Sequence, residues 1–475
     1  MGLSAWRGRK DGGTLFGILR AGMRSLSAFG IALSDWFEEY FPDAFVFAVL
    51  AVAVVFAGSL ALGNGPAQTA QWFGAGFWDL VKFTMQMVMI IITGYAVAVS
   101  PPVHRVIERL AAVPKTGPGA VAFVAVFSML SSLFSWSFSL IFSGLLAREV
   151  GRRVRAADYR AIGAAAYLGL GSIWALGLSS SAALIMASPG SLPESLAKIS
   201  GVIPLSATLL LWQSLAMAGI LLAVSAGLAY LSAPAPEDAR SMDLGSEGPP
   251  AQDDGPLRPG ELLEHSPLLT LVLVGIGAAY LAQVVRAKGA GELLELNNYI
   301  FLFLLLGLLL HWRPRSFTNA VAGAVPAASG ILVQYPLYAG ILKVMTESGM
   351  AKKLALLFVS VSSHGTYPLL VGVYSALLGV FIPSAGGKWL IEAPYLLEAA
   401  KPLGVHLGWV VQIYNAAEAL PNLIHPFWML PLLGILRLKP RDIVGYSALQ
   451  FIVHVPLVLF LVWAFNLTLA PLPVR

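Results

Sequence analysis

Between two strongly apolar runs the chain reads FIPSAGGKWLIE, from Phe381 to Glu392, and no plain membrane helix can be built through that stretch. Pro383 removes a backbone donor, and Gly386 and Gly387 relax the dihedral restraint. A helix arriving through Leu377 to Phe381 is therefore expected to stop here and a new one to begin near Trp389. In lipid a broken backbone is tolerated only where it is buried in protein or lines a wet cavity, because unpaired N–H and C=O groups find no water there. The stretch is expected to form half of a solute site.

That argument needs a membrane, and composition supplies it. Of 475 residues, 57% are hydrophobic and only 12% charged, against roughly 25% charged in a soluble domain, and mean hydropathy is +0.76. The fold class expected is an all-α polytopic membrane protein. The absence of cysteine excludes a disulfide framework and a thiolate metal site. His104, His265, His311, His364, His406, His425 and His454 are scattered without the spacing of a metal site, so neither metal nor other cofactor is expected. The net charge of +5 comes mostly from Lys and Arg between apolar segments. There they set orientation, and no nucleic-acid partner is implied.

Residues 1–40 carry Arg7, Arg9, Arg20 and Arg24 within or before an apolar stretch. The arginines spoil a signal-peptide core, and the segment is expected to be an uncleaved interfacial helix held in the cytoplasm. A first membrane repeat is expected over 41–232. It comprises spans Ala44 to Leu62 and Phe77 to Val99, a re-entrant hairpin Ala120 to Leu146 turning near Ser135 to Ser139, a span Tyr167 to Ala187 interrupted at Gly177 to Ser181, and a span Leu205 to Leu231. The hairpin rests on basic flanks at both ends; the alternative is one span whose serines bond back to the preceding turn. Residues 233–266 are rich in Pro, Gly, Asp and Glu and read as a cytoplasmic linker. A linking helix follows at 267–290, with Leu268 to Val285 as its span.

The second repeat, 296–470, repeats the order. Tyr299 to Leu310 and Ala320 to Leu342, with a kink expected at Pro336, precede a hairpin Leu354 to Ala400. An interrupted span Val405 to Leu436, broken at Asn415 to Pro426, and a last span Gly445 to Phe465 follow. An odd number of crossings before it makes the second repeat enter from the opposite face, which predicts inverted repeats with two re-entrant hairpins and interrupted helices, as in secondary transporters. Lys343, Lys352 and Lys353 fall on the outside in this scheme, against the charge rule.

Several stretches, GFWDLVKFTMQMVMIIITG from Gly76, AREVGRRV from Ala147, GILVQYPLYAGI from Gly330, IPSAGGKWL from Ile382 and HPFW from His425, resemble the bacterial short-chain fatty acid transporter family, the AtoE-type carriers. The resemblance runs over most of the chain from about Phe41. It implies a permease of the cytoplasmic (inner) membrane for small monocarboxylates such as acetoacetate or butyrate, related to ion-coupled carriers with paired re-entrant hairpins. Carried over, the family's polar break in the first hairpin falls on Ser135, Trp136, Ser137, Phe138 and Ser139, where Asn or Gly is the familiar residue at the three serine positions. In the second hairpin Pro383, Ser384, Gly386, Gly387 and Trp389 match, with Lys388 where a His is familiar. Glu418 and Asn422 match the last interruption, and His425 stands in place of Gln.

A short fatty acid has a carboxylate and a small apolar tail, so its site needs N–H or hydroxyl donors beside an apolar wall. Helix starts at Trp389 and near Leu140 would offer free N–H groups. Ser135, Ser137, Ser139, Ser179, Ser181 and Ser384 would add hydroxyls, and Trp136, Phe138 and Trp389 the wall. For Ser384 a plain helix cap is the competing reading. Lys388 pairs either with the solute or with Glu392 one turn away, or snorkels to the interface. Glu418, an ionisable group inside a span, is a candidate proton carrier with Asn415 beside it, or else a structural partner of Asn415 or Asn422. Serine and backbone oxygens at the breaks suit Na+ as well, so H+ and Na+ both stand as coupling ions. The basic clusters at Arg148 to Arg160 and Arg437 to Arg441 set topology and meet lipid headgroups. The expected partners are thus a small organic anion and lipid, with a homodimer left open. No cluster of acidic, His or Cys residues near one interface suggests a membrane enzyme, and a C4-dicarboxylate carrier is the rival within transport.

Overall fold

The computed structural model describes residues 44–234, 239–241, 258–382, 385–425 and 427–471. The expected N-terminal interfacial helix, most of the linker, and Pro383, Ser384 and Pro426 lie outside the described residues. Within them every regular element is helical. Six helices are long and apolar enough to cross a membrane, and a seventh span is made if the two limbs of one bent helix are joined.

The first half runs α1 Ala44–Ala61, α2 Pro66–Gly76, α3 Val81–Ala98, α4 Pro101–Leu110, α5 Gly117–Phe134, α6 Trp136–Arg153 and α7 Tyr159–Leu168. A π turn Gly169–Ile173 and a 3-10 turn Trp174–Leu176 lead to α8 Ser181–Ala187, followed by α9 Glu194–Ser200 and α10 Trp212–Ser232. Prolines in the first turn of α2, α4 and α5 start helices at a position where no N–H is needed. Thr116 and Asp158 cap α5 and α7 by accepting from backbone N–H groups of the first turn.

After α11 Glu261–His265 come α12 Pro267–Lys288, α13 Leu296–His311, α14 Pro314–Glu347, α15 Met350–Val361, α16 Tyr367–Phe381, α17 Ala385–Ala400, α18 Leu407–Asn422, α19 Leu430–Leu436 and α20 Pro440–Asn466. The core is built by α17 and α18, whose residues are buried almost throughout, while α12 keeps most of its apolar side chains exposed. A helix apolar all round and this bare suits a lipid-facing position.

At the two expected places the chain folds back on itself as a pair of helices. One residue, Ser135, in extended conformation separates α5 from α6, and Ser139 Oγ donates to Ser128 O at 2.8 Å across the hairpin. In the second, the Tyr367 hydroxyl on α16 donates to Leu396 O on α17 at 2.6 Å. The second hairpin is shorter than Leu354 to Ala400, because Met350–Val361 is a separate helix ended by the extended Ser362.

Three further boundaries differ from the local sequence pattern. The first interrupted span is broken at Gly177 to Ser180 as expected, but it already leaves the regular α-helix at Gly169. Ser128 on α5 inserts its hydroxyl into the ladder of α7, accepting from Gly169 N at 2.9 Å and donating to Ala166 O at 2.6 Å. A side chain entering the i to i−4 ladder opens it, and Trp174 N–H then bonds Gly169 O five residues back. The last interruption begins only after Asn422: Asn415 and Glu418 stay in regular helix, with their side chains turned to Ser180 and Lys388. In α14 the bend of 53° falls at Pro326 and not at Pro336. The limb with Pro336 is held by packing, with Tyr335 stacked on Phe83 of α3 at 5.8 Å.

Candidate functional site

The tip of the first hairpin is sewn to its neighbours by neutral bonds. Ser135 caps α6 by accepting from Phe138 N at 3.4 Å, and its Oγ lies 3.2 Å from Ser137 Oγ. Ser137 donates to Ile90 O on α3 at 3.0 Å, and Ser131 donates to Ser139 Oγ at 3.0 Å. The carbonyl of Phe134, orphaned where α5 stops, accepts from the Tyr299 hydroxyl of α13. Ser179 likewise donates to Ser132 O. Close approach to α3 depends on Gly94, where a β-carbon would lie 2.8 Å from Ser135 Oγ and 3.0 Å from Phe138 N.

The tip of the second hairpin is charged. Lys388, in the first turn of α17, is fully buried. Its ammonium donates to Ser375 O on α16 at 2.6 Å, lies 3.5 Å from Glu392 Oε1, and is in ion contact with Glu418 Oε2 on α18. The face of Tyr414 covers it at 4.8 Å from the ring centroid, a cation–π contact. Glu392 also accepts from the Ser375 hydroxyl. The Tyr414 hydroxyl donates to Ala385 O at the start of α17. Of the three sequence readings of Lys388, pairing with Glu392 is present, and Glu418 joins it as a second partner from 30 residues away in sequence.

Between the two tips lies a small cavity. Trp136 from the first tip and Ala385 and Gly386 from the second line it, with Leu170 and Trp174 from the unwound part of the first interrupted span and Ser181 from the start of α8. Glu418 and Asn422 come from α18 and Trp428 from the turn that follows it, and Met87, Ile331 and Tyr335 complete the wall from α3 and α14. Trp136 and Trp428 meet edge to face at 5.4 Å. Glu418 is the charged residue among the described lining residues; the remaining polar ones are Ser181, Tyr335 and Asn422.

Of the residues singled out from sequence, Trp136, Ser181, Gly386, Glu418 and Asn422 line this cavity. Lys388 sits directly behind Glu418. Ser135, Ser137, Ser139 and Ser179 are bonded within the scaffold. Phe138 stacks on Phe142 at 5.2 Å, and Trp389 packs on Tyr414 at 4.8 Å. Asn415 accepts from Ser180 Oγ at 2.8 Å and donates to Gln412 Oε1 at 2.7 Å, while Asn422 reaches Leu170 O at 3.4 Å. Gly387 is buried in the first turn of α17. The helix starts fall at Trp136 and Ala385, earlier than Leu140 and Trp389, and it is these two N-termini that reach the cavity. Leu170, Trp174, Met87 and Ile331 carried no polar signal in the sequence. Tyr335 and Trp428 belong to quoted motifs without having been singled out.

Comparison with known proteins gives a consistent result. The model of the family described as short chain fatty acid transporter matches residues 25–465. A provisionally named short-chain fatty acid transporter of Escherichia coli (strain K12) is 35% identical over 426 residues, which is 88% of this chain and 96% of the relative. One of the same description from Haemophilus influenzae (strain ATCC 51907 / DSM 11121 / KW20 / Rd) is 31% identical over 434 residues, 90% of this chain and 96% of the relative. Among solved structures, the YdaH transporter of Alcanivorax borkumensis, reported to have an unusual topology, superposes with a TM-score of 0.59 at 18% identity, covering 90% of this chain and 97% of that one. At that identity the likeness concerns the fold.

Proposed function

Because the chain belongs to the short-chain fatty acid transporter family, we propose that this membrane protein carries a small monocarboxylate, of the size of butyrate or acetoacetate, across the bacterial inner membrane as a cation-coupled secondary carrier. The observation that carries the reading is the wall of the cavity. Trp136, Trp174, Trp428, Leu170, Ile331 and Met87 make an apolar sleeve for a short tail. The N-termini of α6 and α17 and the hydroxyls of Ser181 and Tyr335 offer donors to one carboxylate. Elements from both hairpins and both interrupted spans meet here, so a shift of one hairpin against the other would open the cavity toward one side and then the other. Inverted repeats are the simplest plan for such alternation, with Glu418 as the group that couples transport to a cation.

A C4-dicarboxylate would place its second charge against tryptophan and aliphatic carbon, with no cation among the described lining residues to meet it. The rival reading is therefore the weaker one. The test is uptake of labelled butyrate by reconstituted protein, with proton and sodium gradients imposed separately and with succinate as competitor. Gradient-driven butyrate uptake that succinate leaves untouched is the expected result; succinate uptake without butyrate uptake overturns the substrate assignment. In the same assay Ser384→Ala is expected to slow uptake, since Ser384 stands in the break that precedes α17.

A further inference from the structure

Three ionisable groups, Lys388, Glu392 and Glu418, are enclosed together between α16, α17 and α18. With all three ionised the cluster carries one net negative charge. Beyond these, the titratable groups that face it among the described residues are tyrosines: Tyr335 and Tyr338 from α14, Tyr367 and Tyr374 from α16, Tyr395 from α17 and Tyr414 from α18. No fixed cation offsets the second carboxylate among the described residues. An uncompensated charge in such a place is costly, so the cluster is built to accept one more positive charge.

The two carboxylates are held differently. Glu392 lies one turn from Lys388 on the same helix and is tied by the Ser375 hydroxyl, so it stays with the lysine. Glu418 comes from another helix and lines the cavity; its Oε2, like Glu392 Oε1, meets Lys388 as an ion contact without accepting a hydrogen bond of proper geometry from any described group. Gly379 of α16 keeps that contact clear, since a β-carbon there would lie 3.1 Å from Glu418 Oε2 and 3.3 Å from Lys388 Nζ. Lys388 has three N–H donors; one bonds Ser375 O, and the two carboxylates share its charge at ion-pair range. Neutralising Glu418 leaves part of that charge for another anion.

We infer that Lys388 is an exchangeable cation, held permanently by Glu392 and by Glu418 only when the cavity is empty. It passes to the carboxylate of the entering solute as Glu418 takes up a proton. The charge balance is what selects this exchange. The empty cluster carries one negative charge; a solute monoanion and one proton entering together leave that total unchanged. No bond other than O–H on Glu418 forms, and the same proton leaves when the solute does. A monoanion alone, or a dianion with one proton, would add a buried negative charge that no group in the cavity offsets. The inference rests on the proposed monocarboxylate transport and deepens it by assigning a stoichiometry and a partner switch.

The experiment uses full-length protein in proteoliposomes. It measures labelled butyrate exchange at equal pH on both sides, net butyrate uptake under an inward proton gradient, and the proton movement that accompanies uptake. Wild-type protein should move one proton per butyrate. Glu418→Gln should lower gradient-driven uptake about 10-fold more than it lowers exchange, because exchange needs no proton release. Lys388→Gln combined with Glu392→Gln removes the permanent pair while keeping the net charge of the cluster at minus one on Glu418, and should lose exchange by about 10-fold or more.

Exchange at the wild-type rate by that double variant overturns the role of Lys388, and intact proton coupling in Glu418→Gln overturns the switch. If the double variant fails to fold, the wild-type ratio still decides: butyrate uptake driven by sodium with no proton movement refutes the inference while leaving the transport reading in place. Wild-type protein that neither exchanges nor takes up butyrate refutes the transport reading itself.

Discussion

The two hairpin tips face the same cavity, and they are stabilised by opposite means. At the first, four serine hydroxyls and the phenol of Tyr299 meet the demands of a broken backbone with neutral hydrogen bonds, most of them to carbonyls. At the second, an ammonium and two carboxylates are buried under aromatic rings. Neutral bonds to a carbonyl do not change with pH or solute, so the first tip is a platform. A charged cluster changes its energy by several kcal/mol when one member is neutralised or displaced, so the second tip is where transport chemistry can be coupled to ions.

The largest effect should come from leaving the charged tip unbalanced. Lys388→Ala strands two buried carboxylates and should lower stability by about 3–5 kcal/mol, read as a fall in the midpoint of thermal unfolding in detergent. A variant as stable as the wild type would show that the cluster is wet and not enclosed. Next is Gly94→Val at the neutral tip. Its β-carbon meets Ser135 Oγ and Phe138 N, and overpacking of that kind costs roughly 1–3 kcal/mol. Transport should fall in parallel with the amount of folded protein, whereas an effect on proton coupling alone would give the first tip a chemical role. Tyr299→Phe leaves the Phe134 carbonyl unpaired and should cost about 1–2 kcal/mol, with substrate preference unchanged in competition uptake. The smallest change is expected for Ser137→Ala. It removes one hydroxyl that donates to Ile90 O and should cost about 0.5–1.5 kcal/mol with no change in the proton-to-solute ratio. A shifted ratio would break the contrast between the tips.

Much of the plan was legible in the chain. Runs of apolar residues long enough to cross about 30 Å of hydrocarbon, at 1.5 Å per residue, announce spans whatever packs beside them. Serine-rich and Pro–Gly breaks in the middle of such runs announce irregular backbone near Ser135 and Gly386, and both tips are where those residues stand. Glu418 stood out because a carboxyl in a span needs a reason. Its partner did not stand out: Lys388 is 30 residues away, and the nearer Glu392 offered a complete explanation by helical spacing alone. The apolar lining was hidden for a different cause, since Leu170, Trp174 and Ile331 look like any membrane-helix residues until a cavity opens beside them.

By itself, then, the sequence determined that this is a helical membrane protein with interrupted segments, because transfer into lipid and backbone freedom are local properties of residue type. Tertiary structure alone decided where the first interrupted span comes apart, since the hydroxyl that opens it belongs to Ser128 on another helix. It alone decided, too, that one lysine serves two carboxylates. A bond between segments distant in the chain leaves no periodicity for a sequence to show, and the charge balance of the site is made of such bonds.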